Sequence, residues 1–278
     1  MNKLSIERKA QVIRVLCEGN SIRSTARITD TAINTVVKIL RETGDACAKY
    51  QDEYLRDLYC RHIQCDEIWS FCYAKQKNVP DDKQGRFGYG DVWTWTAIDA
   101  ETKLVTSWLV GLRNADSAYE FMLDLKSRLS NRVQITTDGH KVYLNAIEYT
   151  FGSEVDYAML VKLYGQTPES EKRYSPAKCI GYNHRTVTGN PDPKLISTSF
   201  AERQNLTMRM SMRRFTRLTN AFSKKLENHE LAIALYFMHY NFVRPHKTLA
   251  NPYPTTPAMA SGVSDHIWLI EDIVRLVA

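Results

Sequence analysis

No two of the six cysteines form a C-x-x-C pair. Cys60, Cys65 and Cys72 fall largely within a strand-like run, where alternate side chains face opposite ways, so a zinc site lacks partners at the right spacing. With Cys17, Cys47 and Cys179 they read as buried or free thiols of a reducing compartment. Long apolar runs are missing too. The stretch from Leu231 to Val243 lacks Asp, Glu, Lys and Arg, but it is too short to span a bilayer and holds His239 and Asn241. The opening MNKLSIERKAQ has no apolar segment of a secretory signal. A soluble, intracellular protein with no membrane partner is expected. Neither G-x-x-x-x-G-K-[ST] nor G-x-G-x-x-G occurs, so a nucleotide cofactor is unsupported. No serine or cysteine sits in a recognisable nucleophile elbow. Internal repeats and low-complexity tracts are absent.

What is present is the composition of a folded chain. Of 278 residues, 44% are hydrophobic, and 15 Tyr, 9 Phe and 5 Trp supply burial that a disordered chain lacks. The net charge of +6 is unevenly spread. Residues 1–43 carry +4 and residues 203–225 carry +7 with no acid at all, which leaves the remainder at −5. Two basic blocks on a mildly acidic body suggest a polyanion held at two places, most simply DNA. A single such block would read as a solvated helix face.

Periodicity divides the chain. Residues 5–42 read as three short helices: about Ser5 to Cys17, ended by Gly19; a second capped by Ser21; and a third, TAINTVVKIL, capped by Asp30, with Ile33, Val36, Val37 and Leu40 inward. Ser21 to Leu40 has the size and turn placement of a helix-turn-helix. Arg23 on the second helix and Asn34, Thr35, Lys38 and Arg41 on the third are candidate DNA contacts, while a plain helical hairpin is the alternative. Residues 44–60 read as a polar connector with some helix. Strands follow: HIQCDEIWSFCYAK, then the hairpin DVWTWTAIDA and LVTSWLVGL, whose Trp93, Trp95 and Trp108 are expected in its core. A helix capped by Asp116 or Ser117, the strand VQITTD, a helix to about Phe151 and the strand YAMLVKLYG complete an α/β sheet with parallel and antiparallel neighbours. Residues 165–198 read as a loop-rich insertion, because Pro168, Pro176, Pro191, Pro193, Gly181 and Gly189 break the pattern. Helix is expected to resume at Ser199 and to run through the basic block into LENHELAIALYFMHYNF. Residues 249–278 read as a tail with a last short helix at about 265–277.

Three acids sit where such a sheet would bring them together. Asp66 lies inside an apolar strand, where a charge is costly without a partner. Asp138 ends another strand beside a glycine, and Glu202 lies in the first turn of a helix. Taken singly, Asp66 reads as half of a buried ion pair and Asp138 as a helix N-cap. As an ordered set on strand, strand and helix they read as hard oxygen ligands for Mg²⁺ or Mn²⁺. Two such ions about 4 Å apart can activate a hydroxyl and stabilise a leaving oxygen of a phosphodiester. Glu67, the neighbour of Asp66, points to the opposite face of its strand. Glu202, Asn205, Arg209 and Arg213 share a stripe that could track a phosphate backbone, and Arg203, Arg214, Arg217, Lys224 and Lys225 add to the basic block. His140 and Lys141, just after Asp138, are further candidates for phosphate contact.

The segments IQCDEIWSFCYAKQKN, TTDGHKVY and AERQNLTMRMSMRRFTRLTNAFSKKLENH resemble bacterial insertion-sequence-one transposases. The resemblance extends from about residue 5 to 260, and YNFVRPHKTL with the later TTPA is similar to the closing segment of many DDE transposases and integrases. It implies a ribonuclease-H-like mixed sheet flanked by helices over 61–248, preceded by an all-α helix-turn-helix domain over 1–43. Asp66, Asp138 and Glu202 match the catalytic set, which would bind two divalent metals per active site, nick transposon ends and join the free 3′-hydroxyl to target DNA. Terminal inverted repeats, target DNA and further copies of the chain in a synaptic oligomer are the implied partners, and the bacterial cytoplasm and nucleoid the implied location. Many relatives carry a zinc-binding cysteine cluster ahead of the helix-turn-helix, and this chain has none. A transposase-derived DNA-binding regulator with an idle core, and a nuclease without strand transfer, are the alternatives.

Overall fold

A computed structural model describes residues 4–165, 179–216 and 220–277. Its N-terminal part is three helices: α1 (Ile6–Cys17), α2 (Ile22–Ile28) and α3 (Ile33–Tyr54). Ser5 and Ser21 cap the first two by accepting from the Arg8 and Ser24 amides. The cap expected of Asp30 is not made. Ala32 is the N-cap of α3 and offers no side-chain bond, while Asp30 turns the chain with φ +45°. Ile33 is correspondingly on the surface, 48% exposed, where the sequence pattern points it inward.

The helix α3 runs on to Tyr54 across residues 44–54, read from the sequence as connector. Gly44 explains how. It packs so closely on the later helix α7 (Leu226–Met238) that a Cβ there would stand 2.8 Å from the Leu231 Cβ and closer still to its carbonyl oxygen. Gln51 extends the contact by donating to the Ala234 carbonyl at 3.0 Å. One hydrophobic core therefore extends from Ala10 and Ile13 through the sheet to Phe237 and Ile273.

The sheet is built from β1 (His62–Cys72), β2 (Gly90–Asp99), β3 (Val105–Gly111), β4 (Val133–Asp138), β5 (Val155–Tyr164) and β6 (Cys179–Thr188), in the order β3-β2-β1-β4-β5-β6. The pairs β1/β4 and β4/β5 are parallel and the rest antiparallel. The strand β6 lies within the region expected to be loop, where its mostly exposed residues give no clear alternation. Helices α4 (Ala115–Arg128) and α5 (Val142–Phe151) pack together, and α4 is capped by Asn114 rather than by Asp116 or Ser117. On the other face α6 (Ser199–Ser211) lies along β1 and β2. The helix expected to continue through the basic block instead stops at Ser211, and a 3-10 turn, Arg213–Phe215, follows it. The tail carries α8 (Pro257–Ala260) and α9 (Ile270–Arg275). Of the three tryptophans expected in the hairpin core, Trp95 is fully buried, whereas Trp93 and Trp108 are half-buried. Among the described residues no helix is long and apolar enough to cross a membrane.

Gly44→Ala would gain about 1 kcal/mol of helix propensity but force a methyl into the Leu231 backbone. The expected net result is a loss of roughly 1–3 kcal/mol in urea unfolding. A gain in stability would show that α3 and α7 can separate without cost.

Candidate active site

Parallel pairing of β1 with β4 sets Cys65 opposite Thr137, and one further step along both strands puts Asp66 beside Asp138. Neighbouring positions in register project from the same sheet face. That is the α6 face, because Asn205 on α6 donates from Nδ2 to Asp66 Oδ2 at 2.8 Å. The N-terminal end of α6 is fixed by Gln64, whose Oε1 accepts from the Phe200 amide at 2.7 Å, and this brings Glu202 toward the pair. The electrostatics record the convergence. Burial, then the negative charges of Glu67, Asp138 and Glu202, push the Asp66 carboxyl up to about 7, against the lowering effect of the Glu67 amide that donates to its Oδ1 at 2.8 Å.

The other two carboxylates have their own partners. Asp138 Oδ1 accepts from the His140 amide at 2.9 Å. Glu202 Oε1 lies 2.5 Å from Lys162 Nζ and accepts from Thr198 Oγ1 at 2.5 Å. Lys162 was not singled out from the sequence. Its signal was a charge two residues beyond Leu160 on β5, hence on the face shared by Leu160 and its register partner Asp138. Among the described residues no three of His, Cys, Asp and Glu converge closely enough to hold a metal ion as they stand. The chemistry of the donor set fits a divalent ion: three carboxylates, hard oxygen donors, lie in a region where burial and then like charge disfavour ionisation of Asp66. To join the pair, Glu202 would exchange its ammonium partner for the ion.

Glu67 points to the opposite face, as expected. There its carboxylate accepts from Arg113 Nε at 2.7 Å and Tyr143 Oη at 3.1 Å, and burial raises its pKa. His140 stacks on Trp95 with its Nε2 3.9 Å from Glu67, and burial followed by the charge of Arg113 lowers its pKa. Lys141 is exposed at the start of α5.

The basic block divides into outward and inward residues. Arg203, Arg213, Lys224 and Lys225 are exposed, Arg209 is half-buried, and Arg217 lies outside the described residues. Two expected DNA contacts are corrected. Asn205 is buried under the helix and holds Asp66, because its position on the Glu202 stripe falls on the side facing the sheet. Arg214 turns inward and donates from Nη1 to Ser223 Oγ at 3.0 Å and to the Asn228 carbonyl at 2.7 Å, and burial lowers its pKa to about 10. From Ser223 the chain of bonds runs on. Ser223 Oγ lies 3.1 Å from His229 Nδ1, His229 Nε2 lies 3.1 Å from Ser70 Oγ, and Ser70 donates to the Val92 carbonyl at 3.1 Å. Every donor meets an acceptor only if His229 is neutral with its proton on Nε2. Burial and the Arg214 charge hold its pKa at about 3. This network ties the loop between α6 and α7 to the far end of β1.

Among the N-terminal candidates, Arg23, Asn34, Lys38 and Arg41 are exposed and Thr35 is half-buried. Lys38 lies 3.7 Å from Glu42, and Arg41 pairs with Glu227 on α7. A cavity of about 540 Å³ lined by Arg23, Arg27, Asp30, Thr31 and Ile33 opens between α2 and α3.

No family profile matches the sequence, and no curated protein matches it. Among solved structures the chain is similar to a Mos1 transposase paired-end complex with the left transposon end, at 14% identity and a TM-score of 0.23, over 54% of this chain and 58% of that one. It is also similar to a piggyBac transposase synaptic complex with hairpin DNA, at 11% identity and a TM-score of 0.41, over 100% of this chain and 71% of that one. For a Mos1 strand transfer complex the values are 12%, 0.26, 84% and 78%. The chain thus spans less than two thirds of the first Mos1 chain. Likenesses this distant assign no chemistry, which rests on the residues described above.

Because the folded state holds His229 neutral down to about pH 3, the unfolded chain takes up a proton there that the folded chain refuses as pH falls below about 6.5. The His229 contribution to stability is therefore present above about pH 6.5 and is lost on acidification, by at most ~1.4 kcal/mol per pH unit. Urea unfolding of His229→Gln between neutral and mildly acidic pH should show a shallower loss than wild type. Equal slopes would mean the ring is not held neutral.

Proposed function

We propose that the chain is a DNA transposase of the DDE type, related to the insertion-sequence-one group, which cleaves phosphodiesters at transposon ends and joins the 3′-hydroxyl to target DNA. The observation that carries this reading is that Asp66 and Asp138 stand side by side on one sheet face with Glu202 on α6 near enough for its charge to act on Asp66, beside a helix surface and following turn that bear Arg203, Arg209 and Arg213. Asp66, Asp138 and Glu202 would hold Mg²⁺ or Mn²⁺, two per site. Such ions lower the pKa of an attacking hydroxyl and neutralise charge on the leaving oxygen. The chain's own residues do the rest. Asn205 and the Glu67 amide orient Asp66, the His140 amide orients Asp138, and Lys162 with Thr198 holds Glu202 until substrate arrives. The exposed arginines would bind phosphates and position the scissile strand.

Arg23, Asn34, Thr35 and Lys38 on α2 and α3 would read the terminal inverted repeats as a helix-turn-helix, with Arg41 beside them. A homo-oligomer is part of the proposal, since two ends must be held together for joining. So is a location on the bacterial nucleoid. The Lys162–Glu202 ion pair favours a second reading, a DNA-binding regulator whose core stays idle because Glu202 never leaves its lysine.

A strand-transfer assay separates these readings, using purified protein, a labelled duplex carrying the element's end, target plasmid and Mg²⁺ or Mn²⁺. Joined product is expected from wild type. Asp138→Asn and Glu202→Gln should abolish it while leaving end binding within a few fold, and Asn205→Ala should lower it about 10–100-fold, as loss of a group orienting a ligand does. Specific binding without cleavage would establish the regulator, and cleavage without joining a nuclease.

A further inference from the structure

Beside the exposed Ser199 and Arg203, α6 turns large apolar side chains toward water. Met210 is 77% exposed and Leu206 42% exposed, and at helical spacing they follow Glu202 by eight and four positions. Seen down the helix axis, Leu206 and Met210 lie on the solvent side of Glu202, with Arg209 on the flank nearer the carboxylates and Arg203 on the far flank. The C-terminal end of this stripe abuts the turn between α1 and α2: a Cβ on Gly19 would stand 3.0 Å from the Ser211 carbonyl oxygen and 3.6 Å from that of Met210. An apolar strip bordered by cations thus runs from the carboxylates to the N-terminal helices.

Charge decides what this strip is built to meet. A second copy docking through the same face would set arginine against arginine, whereas a nucleic acid brings phosphates to both flanks. An intact duplex, however, presents phosphate and sugar outward and keeps the apolar faces of its bases stacked inside. Leu206 and Met210 find an apolar partner of matching size only if bases are unstacked beside them, as happens where apolar wedges enter DNA. We infer that Leu206 and Met210 form a platform for unstacked bases next to the scissile phosphate, so that the protein prefers DNA whose end is already opened. This rests on the DNA-cleaving reading of the carboxylate site and adds to it the state of the substrate that the site accepts.

The test compares two probes of one sequence: a fully paired short duplex, and the same duplex ending in unpaired nucleotides with 2-aminopurine at the first unpaired position. Wild-type protein should bind the opened probe at least about fivefold more tightly, the effect of covering about 40 Å² of apolar surface with one unstacked base, and change its 2-aminopurine fluorescence on binding. Leu206→Ala with Met210→Ala should bring the preference toward one and remove the fluorescence change. The dependence of affinity on salt should stay that of wild type, because no charge is removed. Both positions are exposed, so the variant keeps the core. A preference that persists in the double variant, or is absent from wild type, overturns the inference while leaving the proposed function in place. Loss of an oligomer in the double variant with unchanged DNA preference would assign the strip to a second copy and overturn it as well. Failure of wild type to bind either probe would remove the proposed function itself, and this inference with it.

Discussion

Parallel pairing of β1 with β4 forces two carboxylates side by side, and much of the surrounding structure deals with the charge this creates. Asp66 and Asp138 are neighbours because the strands that carry them share a register, not because any attraction holds them. Burial first, and then the charges of Glu67, Asp138 and Glu202, raise the pKa of Asp66. The nearby groups answer this charge with donors. Asn205 and the Glu67 amide serve Asp66, the His140 amide serves Asp138, and Lys162 with Thr198 serves Glu202. On the reverse face Arg113 and Tyr143 take up the charge of Glu67. A fold optimised for stability alone would not gather four acids here. The arrangement is costly by itself, and that cost is the ground for the proposed cation site.

The same demand shapes the helices over that face. Gln64 fixes the start of α6 and Asn205 its middle, so Glu202 is held by bonds to β1 on either side of it. Beyond α6, the run from Arg214 through Ser223 and His229 to Ser70 fastens the loop to β1. It turns one arginine inward and leaves Arg213, Lys224 and Lys225 outside. Underneath, α3 and α7 meet at Gly44, so the N-terminal helices share the core of the sheet. The surface proposed to read DNA and the surface proposed to cut it therefore rest on one hydrophobic core.

The three acids of the proposed site stand out in the sequence for local reasons: a charge in an apolar strand, an acid before glycine at a strand end, and an acid opening a helix. The mixed sheet was legible through β5 for the same kind of reason. Residues 179–188 hid their strand because an exposed edge needs no apolar alternation, and the flanking Gly and Pro argued for loop. Gly44 hid the length of α3. A glycine in a helical run suggests an end, and only the approach of α7 shows that it marks a close contact. Asn205 and Arg214 misled for a different reason. Helical spacing orders side chains around an axis but does not say how deep the helix sinks, so one stripe carries a half-buried acid and a buried amide, while Arg214 escapes that spacing altogether because the helix ends at Ser211. Lys162 was missed because nothing in its strand says that a helix distant in the chain will bring Glu202 to it.

Asp66, Asp138 and Glu202 are proposed to act together as a divalent-ion site. Mn²⁺ titration followed by electron paramagnetic resonance, in the presence of duplex DNA, tests it without relying on turnover. Saturable binding by wild type, weakened at least about tenfold by either Asp138→Asn or Glu202→Gln, is the predicted result. Equal binding by all three proteins, or none by wild type, would contradict it.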